Sequence, residues 1–202
     1  MNLPNALTLS RIFLVPVLVT VLLTEPTAYS VPIAVAVFLA ASLTDFLDGY
    51  LAQTRNQVTT LGMLLDPLAD KLLVSSAFIS LVQLQIVPAW MVVIIVGREF
   101  AVTGLRSIAA SQGFTIDASE LGKLKMLAQV AAITLLILGS DYPVFETFGR
   151  VSLYMVVLFA VWSAVDYFRT FWSKIDDKFK AQQQRRRHLL LKKRPRRHAP
   201  TQ

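Results

Sequence analysis

The sequence contains no cysteine and only two histidines among its 202 residues. The absence of cysteine excludes a disulfide framework and any metal site built on thiolates. Both histidines, His188 and His198, lie in a basic C-terminal stretch, which argues against a catalytic histidine. The first apolar segment is neither preceded by a basic region nor followed by a small-residue cleavage site. We therefore expect no cleavable signal peptide.

Charge is also scarce, because only 16% of the residues are Asp, Glu, Lys or Arg whereas 54% are hydrophobic. This balance is typical of an integral membrane protein. Apolar segments of about 20 residues can cross a ~30 Å hydrocarbon core as helices, since lipid offers unpaired backbone groups no partner. The sequence therefore predicts an all-α membrane protein with six transmembrane helices, at 7–23, 31–52, 64–83, 88–110, 122–139 and 148–172.

The positive charge is concentrated at the C-terminal end, where twelve of the twenty Lys and Arg residues lie from Arg169 onward. We therefore divide the chain into a membrane domain, 1–172, and a basic tail, 173–202, expected to be flexible or held on anionic lipid headgroups. The tail offers no fold or aromatic platform for nucleic acid, which is not expected as a partner. The excess of Lys and Arg predicts that both termini are cytoplasmic and that the protein spans the cell membrane several times.

Four aspartates lie where the second and third apolar segments approach the cytoplasmic side. Asp45 and Asp48 are three residues apart and Asp66 and Asp70 are four apart, so each pair shares a helical face. The short connection makes the two helices antiparallel neighbours, and four carboxylates then converge on a polar cavity facing the cytoplasm. Carboxylates are the preferred ligands of Mg²⁺ and Mn²⁺. The alternative is a set of helix-end charges, with Asp66 as an N-cap before Pro67.

The pattern Asp45-x2-Asp48-Gly49-x2-Ala52-Gln53-x8-Gly62-x3-Asp66-x3-Asp70 resembles the signature of the CDP-alcohol phosphotransferases. It departs from that signature only at Gln53, where the family has Arg; Arg55, two residues on, is a candidate to supply the missing charge. The resemblance implies a homodimeric membrane enzyme that transfers a phosphatidyl or phosphoalcohol group from a CDP-alcohol to a hydroxyl and releases CMP. It also implies that Asp45, Asp48, Asp66 and Asp70 hold two divalent metal ions and that Asp70 deprotonates the acceptor.

The first residues, "NLPNALTLSR", resemble the opening of one branch of this family, the phosphatidylglycerophosphate synthases. In the family this stretch lines the site for CDP-diacylglycerol. The resemblance therefore implies that this donor is bound by Thr8, Arg11, Gly49, Gln53 and Thr59. The alternative for the first two is interfacial anchoring, with Thr8 as a helix cap and Arg11 snorkelling to the headgroups.

The segments "GREFAVTGLR" and "GKLK" resemble the same synthases and carry four cations, Arg98, Arg106, Lys123 and Lys125. We expect these residues to bind the phosphate of an acceptor. Glu99 and Arg106 are seven residues apart, on the same helical face, and could pair. The alternative is the ordinary excess of cations on cytoplasmic loops.

An acceptor that carries a phosphate favours sn-glycerol 3-phosphate, and hence a CDP-diacylglycerol–glycerol-3-phosphate 3-phosphatidyltransferase. The same fold and site would also suit inositol phosphate, or phosphatidylglycerol in a cardiolipin synthase. A divalent-cation transporter is the alternative from another class, because intramembrane acids also line ion paths. The position of the aspartates at one end of their helices, away from the midplane, argues against transport.

Overall fold

The computed structural model describes residues 3–25, 27, 29–54, 60–114 and 121–192, of which 3–5, 45–54, 60–64, 66, 121–124, 177–179 and 181–192 only by their place in the helices. These ranges contain six α-helices and no strand: α1 (Leu3–Leu23), α2 (Ser30–Thr54), α3 (Thr60–Gln83), α4 (Ala89–Ser111), α5 (Leu121–Gly139) and α6 (Pro143–Lys192). The six predicted segments are therefore confirmed as helices. The largest difference is at the end of α6, because its helix continues to Lys192 through residues that we assigned to the basic tail.

The helices form a bundle. Helix α1 packs against α2 and α3, while α6 packs against α4 and α5. Contacts of α2 and α3 with α5 join the two halves. All six helices contribute fully buried apolar side chains to one core, among them Leu18, Phe38, Phe78, Ile95, Leu136 and Val156.

Helices α3 and α4 end in left-handed residues that turn the chain sharply. Gly113, with φ of 77°, follows α4, and the N–H of Phe114 donates to the carbonyl of Ala109 at 3.1 Å. After α3 the left-handed residue is Gln85, with φ of 59°, and the N–H of Ile86 donates to Leu81 at 3.0 Å. These bonds satisfy carbonyls that the helix end would otherwise leave unpaired.

Helices α5 and α6 approach each other most closely at two glycines. A Cβ added at Gly139 would lie 2.9 Å from the Cα of Glu146, and one added at Gly149 would lie 3.1 Å from the backbone N of Leu136. Because backbone atoms cannot move aside as a flexible side chain can, a larger residue would push the two helices apart. The glycines therefore fix the spacing between α5 and α6.

Many large apolar side chains are exposed on the outside of the described helices. Phe13 and Trp162, for example, are both 72% exposed. By length and hydropathy, the described residues contain two candidate membrane spans, Ala6–Leu23 and Pro143–Asp176, and two shorter apolar helices, Ser30–Thr44 and Lys125–Gly139.

The two ends of the bundle differ in their polar residues. One end, which we call the charged end, holds Arg11, Asp70, Arg98, Arg106 and Lys125. The other, the opposite end, is formed by the connections that follow α1, α3 and α5 and encloses a cavity of about 580 Å³.

Candidate functional site

Helix α1 brings two polar side chains into the protein at the charged end. Thr8 is 1% exposed and Arg11 is completely buried. An arginine that snorkels to headgroups must leave its guanidinium accessible, so the anchoring alternative for Arg11 is wrong. Because α1 packs against α3, the charge of Arg11 acts on the carboxylate of Asp70.

The four aspartates lie on two contacting helices, as predicted. Asp45 and Asp48 lie on the last three turns of α2, and Asp66 and Asp70 lie on the first three turns of α3. Because α3 begins at Thr60, Asp66 is inside the helix and the N-cap alternative is wrong. Asp70 is the aspartate of the four whose side chain the structure describes, and it is half-buried.

The donor set of these four residues fits a hard divalent cation. All four donors are carboxylates, and oxygen ligands suit Mg²⁺ or Mn²⁺. Among the side chains that the structure describes, no group of three or more His, Asp or Glu forms a metal site. That part of the chain contains only Asp70 of the proposed ligands.

Positive charges surround Asp70. Those that act on its carboxylate belong to Lys71, Arg11 and Lys125, which come from α3, α1 and α5. The Nζ of Lys71 also donates to the carbonyl of Pro67 at 3.0 Å, which holds this side chain along α3. Asp70 therefore lies at the meeting point of three helices, among cations that each of them contributes.

Glu99 organises a second group of charges on α4 and α5. Its Oε1 lies 3.2 Å from Nη1 of Arg98 and also contacts Nζ of Lys125. Nε2 of Gln129, a buried residue one helical turn after Lys125, lies 3.5 Å from the same oxygen. Three donors thus converge on one carboxylate oxygen and fix the relative positions of α4 and α5.

The two arginines of α4 are held by hydroxyl groups of α6. Nη2 of Arg98 donates to Oγ of Ser163, and Nη2 of Arg106 donates to the hydroxyl of Tyr167. The guanidinium carbon of Arg106 also lies 5.2 Å from the centre of the Tyr167 ring, within the range of a cation–π interaction. Our prediction that Glu99 pairs with Arg106 is therefore wrong, because Glu99 pairs with Arg98 and Lys125.

The structure brings together Arg98, Arg106 and Lys125 of the four predicted acceptor cations. Their charges also act on one another or on Lys71, beside Asp70. Lys123 lies on α5, and Gly49 and Gln53 lie on α2, each placed by its helix alone. Thr59 and Arg55 lie outside the described residues.

Sequence reasoning missed Lys71, Gln129, Ser163 and Tyr167. Gln129 is an uncharged polar residue within an apolar helix, which marks it as a buried hydrogen-bonding group. Ser163 and Tyr167 are four residues apart on α6, so they share a face. The spacing indicates that the two hydroxyl groups lie on one side of α6, but it does not identify the helix that this side contacts.

The opposite end has a different character. Its cavity is lined mainly by apolar residues such as Leu22, Leu81 and Leu136. At its rim Nη2 of Arg150 donates to Oε1 of Glu146 at 2.6 Å, in an exposed pair within α6. No group of acids capable of holding a metal is found there among the described residues.

Comparison with known proteins agrees with the aspartate signature. The family model of the CDP-alcohol phosphatidyltransferases matches residues 1–162. The chain is 44% identical over 191 residues to the CDP-diacylglycerol–glycerol-3-phosphate 3-phosphatidyltransferase of Bacillus subtilis (strain 168), covering 86% of this chain and 97% of that protein. The protein of the same name from Rickettsia bellii (strain RML369-C) is 36% identical over 172 residues, with coverage of 83% and 94%.

A relative with another name is also found at lower identity. The cardiolipin synthase (CMP-forming) of Oryza sativa subsp. japonica is 32% identical over 191 residues, covering 85% of this chain and 58% of that protein. The resemblance that the four aspartates predict is confirmed by the family match and by the relatives. The chain belongs to the CDP-alcohol phosphatidyltransferase family.

Proposed function

We propose that this protein is a CDP-diacylglycerol–glycerol-3-phosphate 3-phosphatidyltransferase, which makes the phosphatidyl ester of sn-glycerol 3-phosphate and releases CMP. The observation that carries the proposal is the group of cations Arg98, Arg106 and Lys125 at the same end of the bundle as Asp70. A pocket of this charge suits an acceptor that carries a phosphate of its own. The relatives from Bacillus subtilis and Rickettsia bellii bear the name of this activity.

Different residues bind the acceptor and remove its proton. Arg98, Arg106 and Lys125, together with Lys123, bind the phosphate of the acceptor and so direct its free hydroxyl toward Asp70. The carboxylate of Asp70 takes the proton of that hydroxyl, because a neutral alcohol is a poor nucleophile. The alkoxide oxygen then forms a bond to the phosphorus of the phosphatidyl group, and the bond from that phosphorus to the oxygen of CMP breaks.

Asp45, Asp48, Asp66 and Asp70 would hold two divalent cations, Mg²⁺ or Mn²⁺. When bound, these ions supply electrostatic stabilisation of the diphosphate and of the leaving group. Thr8, Arg11, Gly49, Gln53 and Thr59 bind the donor, CDP-diacylglycerol. The charge of Arg11 acts on the carboxylate of Asp70, which supports a place for Arg11 beside the donor site.

The length of the helices supports a proposal for their placement in the membrane. Every helix has at least 19 residues, close to the ~20 that cross a hydrocarbon core. We propose six spans with both termini and the charged end, including its polar cavity, on the cytoplasmic side of the cell membrane, in a homodimer. The basic tail would lie against anionic lipids, which attract Lys and Arg near the surface.

The test is a CMP-release assay with purified protein, CDP-diacylglycerol and a panel of acceptors: glycerol 3-phosphate, inositol phosphate, serine and phosphatidylglycerol. We expect CMP only when glycerol 3-phosphate, donor and divalent metal are all present. Release with phosphatidylglycerol alone would instead make the protein a cardiolipin synthase. A protein that releases no CMP with any acceptor but moves metal ions across vesicles would be a transporter.

A further inference from the structure

Helix α6 contributes two hydroxyl groups to the charged end, and no role has been assigned to either. Ser163 accepts a hydrogen bond from Arg98, and Tyr167 accepts one from Arg106. Tyr167 is only 4% exposed although it lies near the end of the bundle. Both residues lie just beyond the region that the family model matches, residues 1–162.

The two arginine–hydroxyl pairs, Arg98–Ser163 and Arg106–Tyr167, connect α4 to α6 at two levels. Arg98 and Arg106 are two turns apart on α4, Ser163 and Tyr167 are one turn apart on α6, and the two contacts follow the same order along both helices. The short side chain of Ser163 contacts Arg98, whose own side chain is only 8% exposed. The longer tyrosine reaches Arg106 nearer the end of the helix, where its ring also lies beside the guanidinium.

We propose that Ser163 and Tyr167 are positioning residues that hold Arg98 and Arg106 ready for the acceptor phosphate. This proposal rests on the proposed function. An arginine side chain loses rotamer freedom when it binds a ligand, and a hydrogen bond already made in the free protein removes part of that cost. A guanidinium has five N–H donors, so the bond from Nη2 to a hydroxyl leaves others for phosphate oxygens.

Glu99 holds Arg98 from the other side, through Nη1 at 3.2 Å. Arg98 is thus fixed between a carboxylate on its own helix and a hydroxyl on α6. Arg106 has its hydroxyl and aromatic contacts on a single residue, Tyr167. Loss of the Tyr167 hydroxyl should therefore release Arg106 more completely than loss of the Ser163 hydroxyl releases Arg98.

The experiment measures kcat and both KM values for the full-length enzyme with Tyr167→Phe, which keeps the ring and removes the hydroxyl. We expect KM for glycerol 3-phosphate to rise roughly tenfold, the size typical of a hydrogen bond to a charged group, with KM for CDP-diacylglycerol unchanged. Tyr154→Phe is the matched control, because Tyr154 lies on the same helix and is 56% exposed. It should leave all three constants as they are.

A double-mutant cycle separates positioning from a general structural role. If Tyr167 acts through Arg106, then adding Tyr167→Phe to Arg106→Ala should cause no further rise in KM. Additive effects of the two changes, or equal rises in both KM values, would overturn the proposal. If Tyr167→Phe lowers the melting temperature, the same cycle with Ser163→Ala and Arg98→Ala tests the proposal instead. Ser163→Thr keeps a hydroxyl and should have the KM of the parent enzyme. Ser152→Ala, on the same helix, is the control.

Failure of the proposed function gives a different result. The unmodified enzyme would then release no CMP with glycerol 3-phosphate. This assay is done before any variant is made. Normal use of glycerol 3-phosphate by the parent, combined with parental KM values in Tyr167→Phe and Ser163→Ala, would overturn the positioning role alone.

Discussion

Two ion pairs, one at each end of the bundle, show how differently the protein uses the same chemical groups. The Glu99–Lys125 pair joins α4 to α5, and its side chains are 18% and 10% exposed. The Glu146–Arg150 pair lies within one turn of α6, and its side chains are 48% and 65% exposed. A buried pair gains little net stability because both charges lose water, whereas an exposed pair costs little and contributes under about 1 kcal/mol. The buried pair is therefore better explained by what it positions than by stability.

The strongest test of the charged end is Asp70→Asn. We expect this variant to bind metal and CDP-diacylglycerol but to lose turnover by a factor on the order of 10²–10⁴, since the amide cannot accept the proton of the acceptor. The measurement is the CMP-release rate at saturating metal and substrates. Full recovery of activity at high metal concentration would show that Asp70 is not the base.

Asp45→Asn is the comparison for that variant, because Asp45 is a proposed metal ligand with no role in proton transfer. Its activity should fall at ordinary metal concentration and recover as metal is raised. A metal titration of both variants therefore separates a ligand from a base.

The buried pair itself is broken by Glu99→Gln. This change leaves Lys125 and Arg98 close together without the carboxylate between them, and removing one partner of a buried pair typically costs about 3–5 kcal/mol. We expect a clearly lower melting temperature for the purified protein in detergent. Unchanged stability would mean that water or lipid headgroups reach this group of charges.

The acceptor cations are tested by Arg98→Ala and Lys125→Ala. Each should raise KM for glycerol 3-phosphate by roughly ten- to a hundredfold, because a hydrogen bond to a charged group contributes about 1.5–3 kcal/mol. KM for CDP-diacylglycerol should change far less. As a control, Arg150→Ala removes a cation at the opposite end and should leave both KM values unchanged. Equal rises in both KM values for Arg98→Ala and Lys125→Ala would argue against a separate acceptor pocket.

The smallest effect is expected from Glu146→Gln, which breaks the exposed pair. Pairs of this spacing on a helix surface contribute about 0.2–0.5 kcal/mol, so the melting temperature should hardly change. The measurement is the one used for Glu99→Gln, under the same conditions. A loss as large as that of Glu99→Gln would show that burial does not distinguish the two pairs.

The sequence was sufficient to predict the helices, because apolar segments of this length have few other options in lipid. It predicted the ends less well. The start of α3 at Thr60 was missed by four residues, because Thr60 and Gly62 were assigned to the connection that precedes the apolar segment. The continuation of α6 to Lys192 was missed because we considered only the apolar part of the helix.

The chemistry of the site was predicted from one pattern of aspartates, and its supporting contacts were not. The Glu99–Arg106 pair that we considered relied on spacing along one helix, whereas Glu99 contacts Arg98 beside it and Lys125 from α5. Ser163 and Tyr167 were missed for the same reason, since a hydroxyl in an apolar helix gives no indication of which helix it faces. Contacts between helices depend on how the helices pack, and a single sequence does not determine that packing by spacing alone.

The cations at the charged end have a consequence for the departure of the product. In the proposed reaction the acceptor's phosphate is not consumed, so it is carried unchanged into the new lipid. Arg98, Arg106 and Lys125 therefore meet the same phosphate before and after the transfer. Tighter binding of the acceptor would slow the escape of the product into the bilayer to a similar degree. The strength of this group of charges is then a compromise between capture and release, and Glu99, by neutralising part of it, weakens the hold on both.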